Sequence, residues 1–259
     1  MKKALFSIFA VMMVMLLGMH STNDPSIVNA APPIATSTPP HDVLFKMADG
    51  VVIKGTFYPS AASNPAPAVL LLHQYNGNRR QWDPFTVVLA ANGYNVLAID
   101  QRGFGETGGT MDWTRAQKDA TDLMTWLRQQ PTVNPDEVAV VGASIGSNLA
   151  LRVCALDPKC HTSIALSPAL DYVGLTTKGA VTSMHDKAIF LVASERDANP
   201  SADGVKALTA VAPIDLTVMT KIYGSKQLHG TDMLQYPDLI PMMLMWLNNY
   251  TSHSAWWAE

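Results

Sequence analysis

A serine between glycines, Gly142-Ala143-Ser144-Ile145-Gly146, is the segment of this chain best suited to covalent chemistry. A Gly-x-Ser-x-Gly run alone arises by chance, so its surroundings decide what it means. Val138-Ala139-Val140-Val141 before it is a short apolar run of the kind buried as a strand. Residues 148–156 after it have the period of an amphipathic helix. A serine on so sharp a strand-to-helix turn takes strained backbone angles and projects its hydroxyl above the sheet, where a base can activate it. The competing reading is a plain strand–turn–helix that Ser144 merely caps. A base lies downstream, in Leu228-His229-Gly230, a loop after the last strand and therefore at the carboxyl edge of the sheet. The other histidines suit the task less well. His20, His41 and His253 fall in terminal segments, His161 adjoins a cysteine, and His185 precedes a strand instead of following one.

Strand-like and helix-like segments alternate around these residues. Residues 43–48 and 51–58 flank Asp49-Gly50, a two-residue hairpin signal. Residues 68–73, 95–100, 137–142, 162–166, 188–193 and 215–222 read as strands. Residues 80–92, 114–130, 145–156, 202–210 and 231–250 read as helices, with one more near 175–185. Thr114-Arg115-Ala116-Gln117 has the form of a capping box. Strands separated by helices imply an α/β domain with a doubly wound, mostly parallel sheet. Eight strands fit, with the opening hairpin adding antiparallel strands at one edge. The segment between 166 and 188 is only about 20 residues long, so minimal or no lid is expected.

At this point the chain resembles the α/β-hydrolase superfamily, in particular its dienelactone-hydrolase-like branch, from residue 51 to about 247. The residues that carry the resemblance are Leu71-Leu72-His73, Gly93-Tyr94-Asn95-Val96-Leu97-Ala98-Ile99-Asp100, Arg102-Gly103-Phe104-Gly105-Glu106-Thr107, the pentapeptide, and His229-Gly230-Thr231-Asp232. They are specific for the superfamily and silent about substrate. Dienelactone hydrolases use a cysteine nucleophile, so Ser144 departs from them and points toward a serine esterase. The resemblance implies the order nucleophile, acid, histidine. Ser144 and His229 would then be joined by a carboxylate in Ser194-Glu195-Arg196-Asp197. Position matching points to Asp197, with Glu195 as rival, because either carboxylate could accept the imidazole N–H. The backbone N–H of Ile145 would supply one oxyanion donor. Motif alignment gives the second as the N–H of Tyr75 in His73-Gln74-Tyr75-Asn76-Gly77, where Gln74 replaces a glycine common in relatives. His73 reads as a structural histidine that pins this loop. Arg102 reads as half of an ion pair in preference to a binder of a substrate carboxylate. Trp113, Phe104, Pro168, Tyr172 and Met184 fit either a pocket or the core. The implied activity is hydrolysis of small-molecule carboxylic esters through an acyl-enzyme on Ser144, without cofactor or metal. A thioesterase or a peptidase would use the same triad, and an idle hydrolase fold that only binds a ligand is the reading from another class.

Composition sets the remaining bounds. The 259 residues are 48% apolar and 15% charged, enough for one core spanning 42–250 between an extended leader (31–41) and a tail (251–259). The net charge of -3 and the lack of a Lys/Arg run argue against a nucleic-acid partner. Lys2-Lys3, the apolar run of residues 4–18 and the small residues Val28 and Ala30 have the layout of a signal peptide cut before Ala31. The run is shorter than the roughly 20 residues that span a bilayer. A secreted or periplasmic protein is expected, without a stable membrane partner once the signal is removed; an uncleaved anchor is the alternative. Cleavage removes two lysines and Asp24, moving the net charge from -3 to -4. Cys154 and Cys160 would be able to pair after export, with Asp157-Pro158 supplying a turn between them.

Overall fold

Unbroken apolar runs cannot face water on either side, so they take the middle of the sheet. The computed structural model describes residues 39–62 and 65–251. The expected signal peptide, residues 31–38 of the leader and the tail from 252 onward lie outside the described residues. Eight strands form one sheet: β1 (His41–Lys46), β2 (Val52–Tyr58), β3 (Ala66–Leu72), β4 (Asn95–Asp100), β5 (Val133–Ala143), β6 (Cys160–Leu166), β9 (Ala188–Ser194) and β10 (Thr217–Tyr223). Their order is β1-β2-β4-β3-β5-β6-β9-β10. From β4 to β10 every pairing is parallel, and β1 and β2 add the two antiparallel pairings at one edge.

The period of two along each strand divides the core between the faces. Val69, Leu71, Val96, Ala98, Val141 and Phe190 pack with residues of α1 (Asp83–Ala91) and α6 (Leu239–Tyr250). Leu70, Leu72, Leu97, Val140, Ile189 and Leu191 pack with α2 (Trp113–Arg128), α3 (Ile145–Leu156) and α5 (Ser201–Ala210). Between β6 and β9 the chain holds only a hairpin, β7 (Asp171–Tyr172) with β8 (Leu175–Thr176), and the short helix α4 (Lys178–Thr182). Nothing longer lies between the carboxyl edge of the sheet and solvent there. Cys154 at the end of α3 is bonded to Cys160 at the start of β6, with their Cα atoms 5.2 Å apart.

Three local expectations are corrected. The first hairpin turns over three residues, not two: Met47 N–H bonds Val51 O at 2.8 Å, and Gly50 takes the positive φ (87°) that such a loop requires. The cap of α2 is Asp112, whose side chain accepts the Arg115 N–H at 3.0 Å, so Thr114 lies inside the helix. The long final helix is split: a 3-10 helix, Gly230–Gln235, ends at Tyr236, and Pro237 separates it from α6. Proline disfavours helical backbone in the residue before it.

Candidate active site

Ser144 stands between β5 and α3 with φ 53° and ψ -121°, angles a β-carbon strongly disfavours. The turn is possible because its flanks are bare. A Cβ on Gly142 would come within 2.0 Å of Gly146 O, and one on Gly146 within 2.4 Å of Leu72 O. Ser144 N–H bonds Leu166 O at 2.7 Å, fixing the elbow to the neighbouring strand. The hydroxyl does not cap the helix; it meets His229, with Oγ 2.7 Å from Nε2.

The other ring nitrogen of His229, Nδ1, lies 2.6 Å from Asp197 Oδ2. Burial raises the Asp197 pKa, but hydrogen bonds from His229, Ser201 Oγ (2.7 Å) and Asn199 N (3.0 Å) outweigh it, and the net shift is downward. An ionised carboxylate only accepts, so Nδ1 carries the proton and Nε2 is left to accept from Ser144. The Asp197 side chain is 2% exposed and that of His229 25%. Glu195 is exposed and makes no contact with the imidazole; its backbone N–H bonds Tyr223 O in the next strand. The structure therefore brings together Ser144, His229 and Asp197, from the loops after β5, β10 and β9.

The loop after β3 completes this edge. His73 is fully buried: its Nε2 accepts the Gln101 N–H at 2.9 Å and its Nδ1 donates to Gln74 O at 2.7 Å. Desolvation lowers its pKa, which suits a neutral structural ring. Gln74 reaches across the site, where its Oε1 accepts the Thr231 N–H at 2.9 Å. Gly230, at φ 55°, leaves room for it; a Cβ there would sit 2.0 Å from Gln74 Oε1. Ser167 Oγ accepts the Gly230 N–H at 2.9 Å from the other side. The loop that carries His229 is thus held by both Gln74 and Ser167. Tyr75 and Ile145 border the same cavity of about 410 Å³, into which Ser144 and His229 open. It is also lined by Met111 and Trp113 and by Tyr172 and Val173 of the β7–β8 hairpin.

Comparisons with known proteins place the chain in a family and match its fold. The family model described as X-Pro dipeptidyl-peptidase (S15 family) matches residues 49–259. The chain belongs to this family. As an S15-family protein with this sheet, it is an α/β hydrolase, the superfamily its sequence resembles. Among curated relatives, a polyketide transferase of Penicillium sp. is 28% identical over 60% of this chain and 54% of its own length. A thiohydrolase of Arthrinium phaeospermum is 26% identical over 76% of this chain and 63% of its own. The chain thus spans roughly half to two thirds of these relatives. Among solved structures, an esterase of Pyrococcus furiosus superposes with a TM-score of 0.71 at 19% identity, covering 86% of this chain and 95% of that one. An α/β hydrolase of Penicillium sp. gives 0.71 at 17%, covering 83% and 99%. At such identities the likeness is one of fold.

Other residues singled out in the sequence of this S15-family chain fall into place around the site. Arg102 is buried and grips both oxygens of Asp119 (2.7 and 2.8 Å), with Asp49 at 2.9 Å. It is a structural ion pair and does not border the cavity. Phe104 stacks behind Trp113 at a centroid distance of 5.8 Å, while Pro168 and Met184 are core. Met111, Val173 and Asn199 border the cavity without having stood out in sequence. Ser201 and Ser167, which hold Asp197 and the His229 loop, were equally silent, since an isolated loop serine carries no local signal.

Proposed function

We propose that this chain is a serine hydrolase that cleaves carboxylic esters of small molecules through an acyl-enzyme on Ser144. The observation that carries the reading is the continuous run of hydrogen bonds Asp197–His229–Ser144, opening onto a cavity of about 410 Å³. As Ser144 Oγ attacks the carbonyl carbon, His229 Nε2 takes its proton and Asp197 stabilises the imidazolium. The N–H groups of Ile145 and Tyr75 receive the developing oxyanion, each donor contributing about 3–4 kcal/mol in acyl transfer. Collapse expels the alcohol, which takes the proton from Nε2. Water then repeats the sequence on the acyl-enzyme and frees the carboxylic acid.

Thioester hydrolysis is the second reading, favoured by the relatives named thiohydrolase and served by the same groups. An exported setting is supported by the Cys154–Cys160 bond, since disulfides persist in oxidising compartments. The test is direct. A fluorophosphonate should label native protein and fail on Ser144→Ala, and that variant should lose at least about 10³-fold in ester turnover while keeping its fold. A hydrolase fold that only binds a ligand would show neither the labelling nor the turnover.

A further inference from the structure

Resting on the ester-hydrolase reading, we infer that the substrate part seated beside Ser144 is uncharged and apolar, so that neither a peptide N-terminus nor a carboxylate-bearing acyl group is accepted. Among the described residues, no Lys, Arg, Asp or Glu borders the cavity. The triad carboxylate, Asp197, is buried behind His229, and its two oxygens already accept from His229, Ser201 and Asn199. Arg102, the one cation in the loop after β4, is committed to Asp119 and Asp49. Gln74, a polar group on the cavity edge, has its carbonyl oxygen engaged by Thr231.

Apart from the neutral amides of Gln74 and Asn199 and the Tyr172 hydroxyl, the rest of the lining beyond Ser144 and His229 is mainly apolar. Tyr75, Phe104 and Trp113 form one aromatic group, with centroids 5.4, 5.8 and 6.4 Å apart. Met111 and, from the hairpin tip, Val173 line the same cavity. Tyr75 (53%), Met111 (38%) and Val173 (74%) are exposed, although burial is the usual place for such side chains. A rim of exposed apolar groups around a reactive serine suits a ligand that sheds water from its own apolar part. A charged group entering the same space would give up part of its water shell without gaining a charged partner, which is disfavoured. A dipeptidyl-peptidase, by contrast, must accept a free α-amino group, cationic at neutral pH in most molecules. The activity for which the family is named and this cavity therefore diverge.

The experiment compares p-nitrophenyl esters that differ in charge and little in shape: pentanoate against 4-aminobutyrate, and 4-methylpentanoate against the succinate half-ester. Each neutral ester should exceed its charged counterpart by at least about 100-fold in kcat/KM. Gly-Pro-p-nitroanilide should not be cleaved above the Ser144→Ala background. A second variant ties the effect to the wall. Val173 holds a left-handed φ of 45°, which aspartate tolerates better than valine, so Val173→Asp should fold. It should shift the ratio of 4-aminobutyrate to pentanoate by at least about tenfold toward the cation. Smaller ratios, an unmoved ratio in Val173→Asp, or Gly-Pro-p-nitroanilide cleavage above background would overturn the inference while leaving the ester-hydrolase reading intact. If no ester were cleaved above the Ser144→Ala background, both would fall.

Discussion

The carboxylate partner of His229 is where residue-scale chemistry is most sharply testable. Asp197 and Glu195 stand two positions apart in one polar loop, yet only Asp197 touches the imidazole. Asp197→Asn should lower kcat by roughly 10⁴-fold, because an amide in that place favours the wrong imidazole tautomer. Glu195→Gln should stay within a few-fold of the parent; the reverse pattern would move the role to Glu195. The same carboxylate fixes the shape of the pH profile. Burial raises the Asp197 pKa, and its three hydrogen bonds more than reverse that, so it stays ionised through the ordinary carboxylate range. A carboxylate that stays ionised adds no second ionisation to the acid limb, which depends only on Nε2 being free to take the proton of Ser144. Log kcat/KM against pH should therefore fall with a slope of one. A slope of two while circular dichroism shows an intact fold would mean that the carboxylate titrates as well.

At the scale of elements, legibility follows how locally each feature is determined. The sheet could be read from its unbroken apolar runs, and α3 matches its expected bounds of 145–156 because strand and helix patterns meet at the glycine pair. The start of β5 at Val133 was hidden by Asn134-Pro135-Asp136, a proline between two polar residues, over which the pairing with β3 shifts register. Ser144 and His229 stood out because each sits where one pattern gives way to another. Asp197 needed the family resemblance, since a carboxylate in a polar loop is locally unremarkable. The Gln74 clamp acts across 157 positions of sequence and has no local signature at all. Arg102 shows the same dependence on distant partners: its type allowed a substrate contact, and only α2, which brings Asp119, decides otherwise. Arg102→Met would leave Asp119 buried and unpaired, costing about 3–5 kcal/mol. Urea unfolding should register that loss, while kcat/KM of the remaining folded protein stays near the parent value. A large rise in KM without loss of stability would instead restore Arg102 as a substrate contact.

The whole molecule separates its chemistry from its covalent staple. Ser144, Asp197, His229 and the Gln74–Tyr75 loop all hang from the carboxyl edge of the parallel strands, where doubly wound sheets collect their sites. Cys160 opens β6, and Cys154 closes the helix that runs back from Ser144, so their bond lies at the opposite, amino edge. With a sequence separation of six, the closed loop is short, and chain entropy assigns the bond about 2 kcal/mol. In a domain of this size that corresponds to a fall in Tm of about 4–8 °C when both cysteines are replaced by serine. Because the sheet lies between bond and site, kcat/KM at 25 °C should not change in the double variant. Protein recovered from an oxidising compartment and never exposed to reductant should show no titratable thiol after denaturation. Two free thiols, together with an unchanged Tm in the variant, would mean that the pair stays reduced, and the bond's support for an exported protein would go with it.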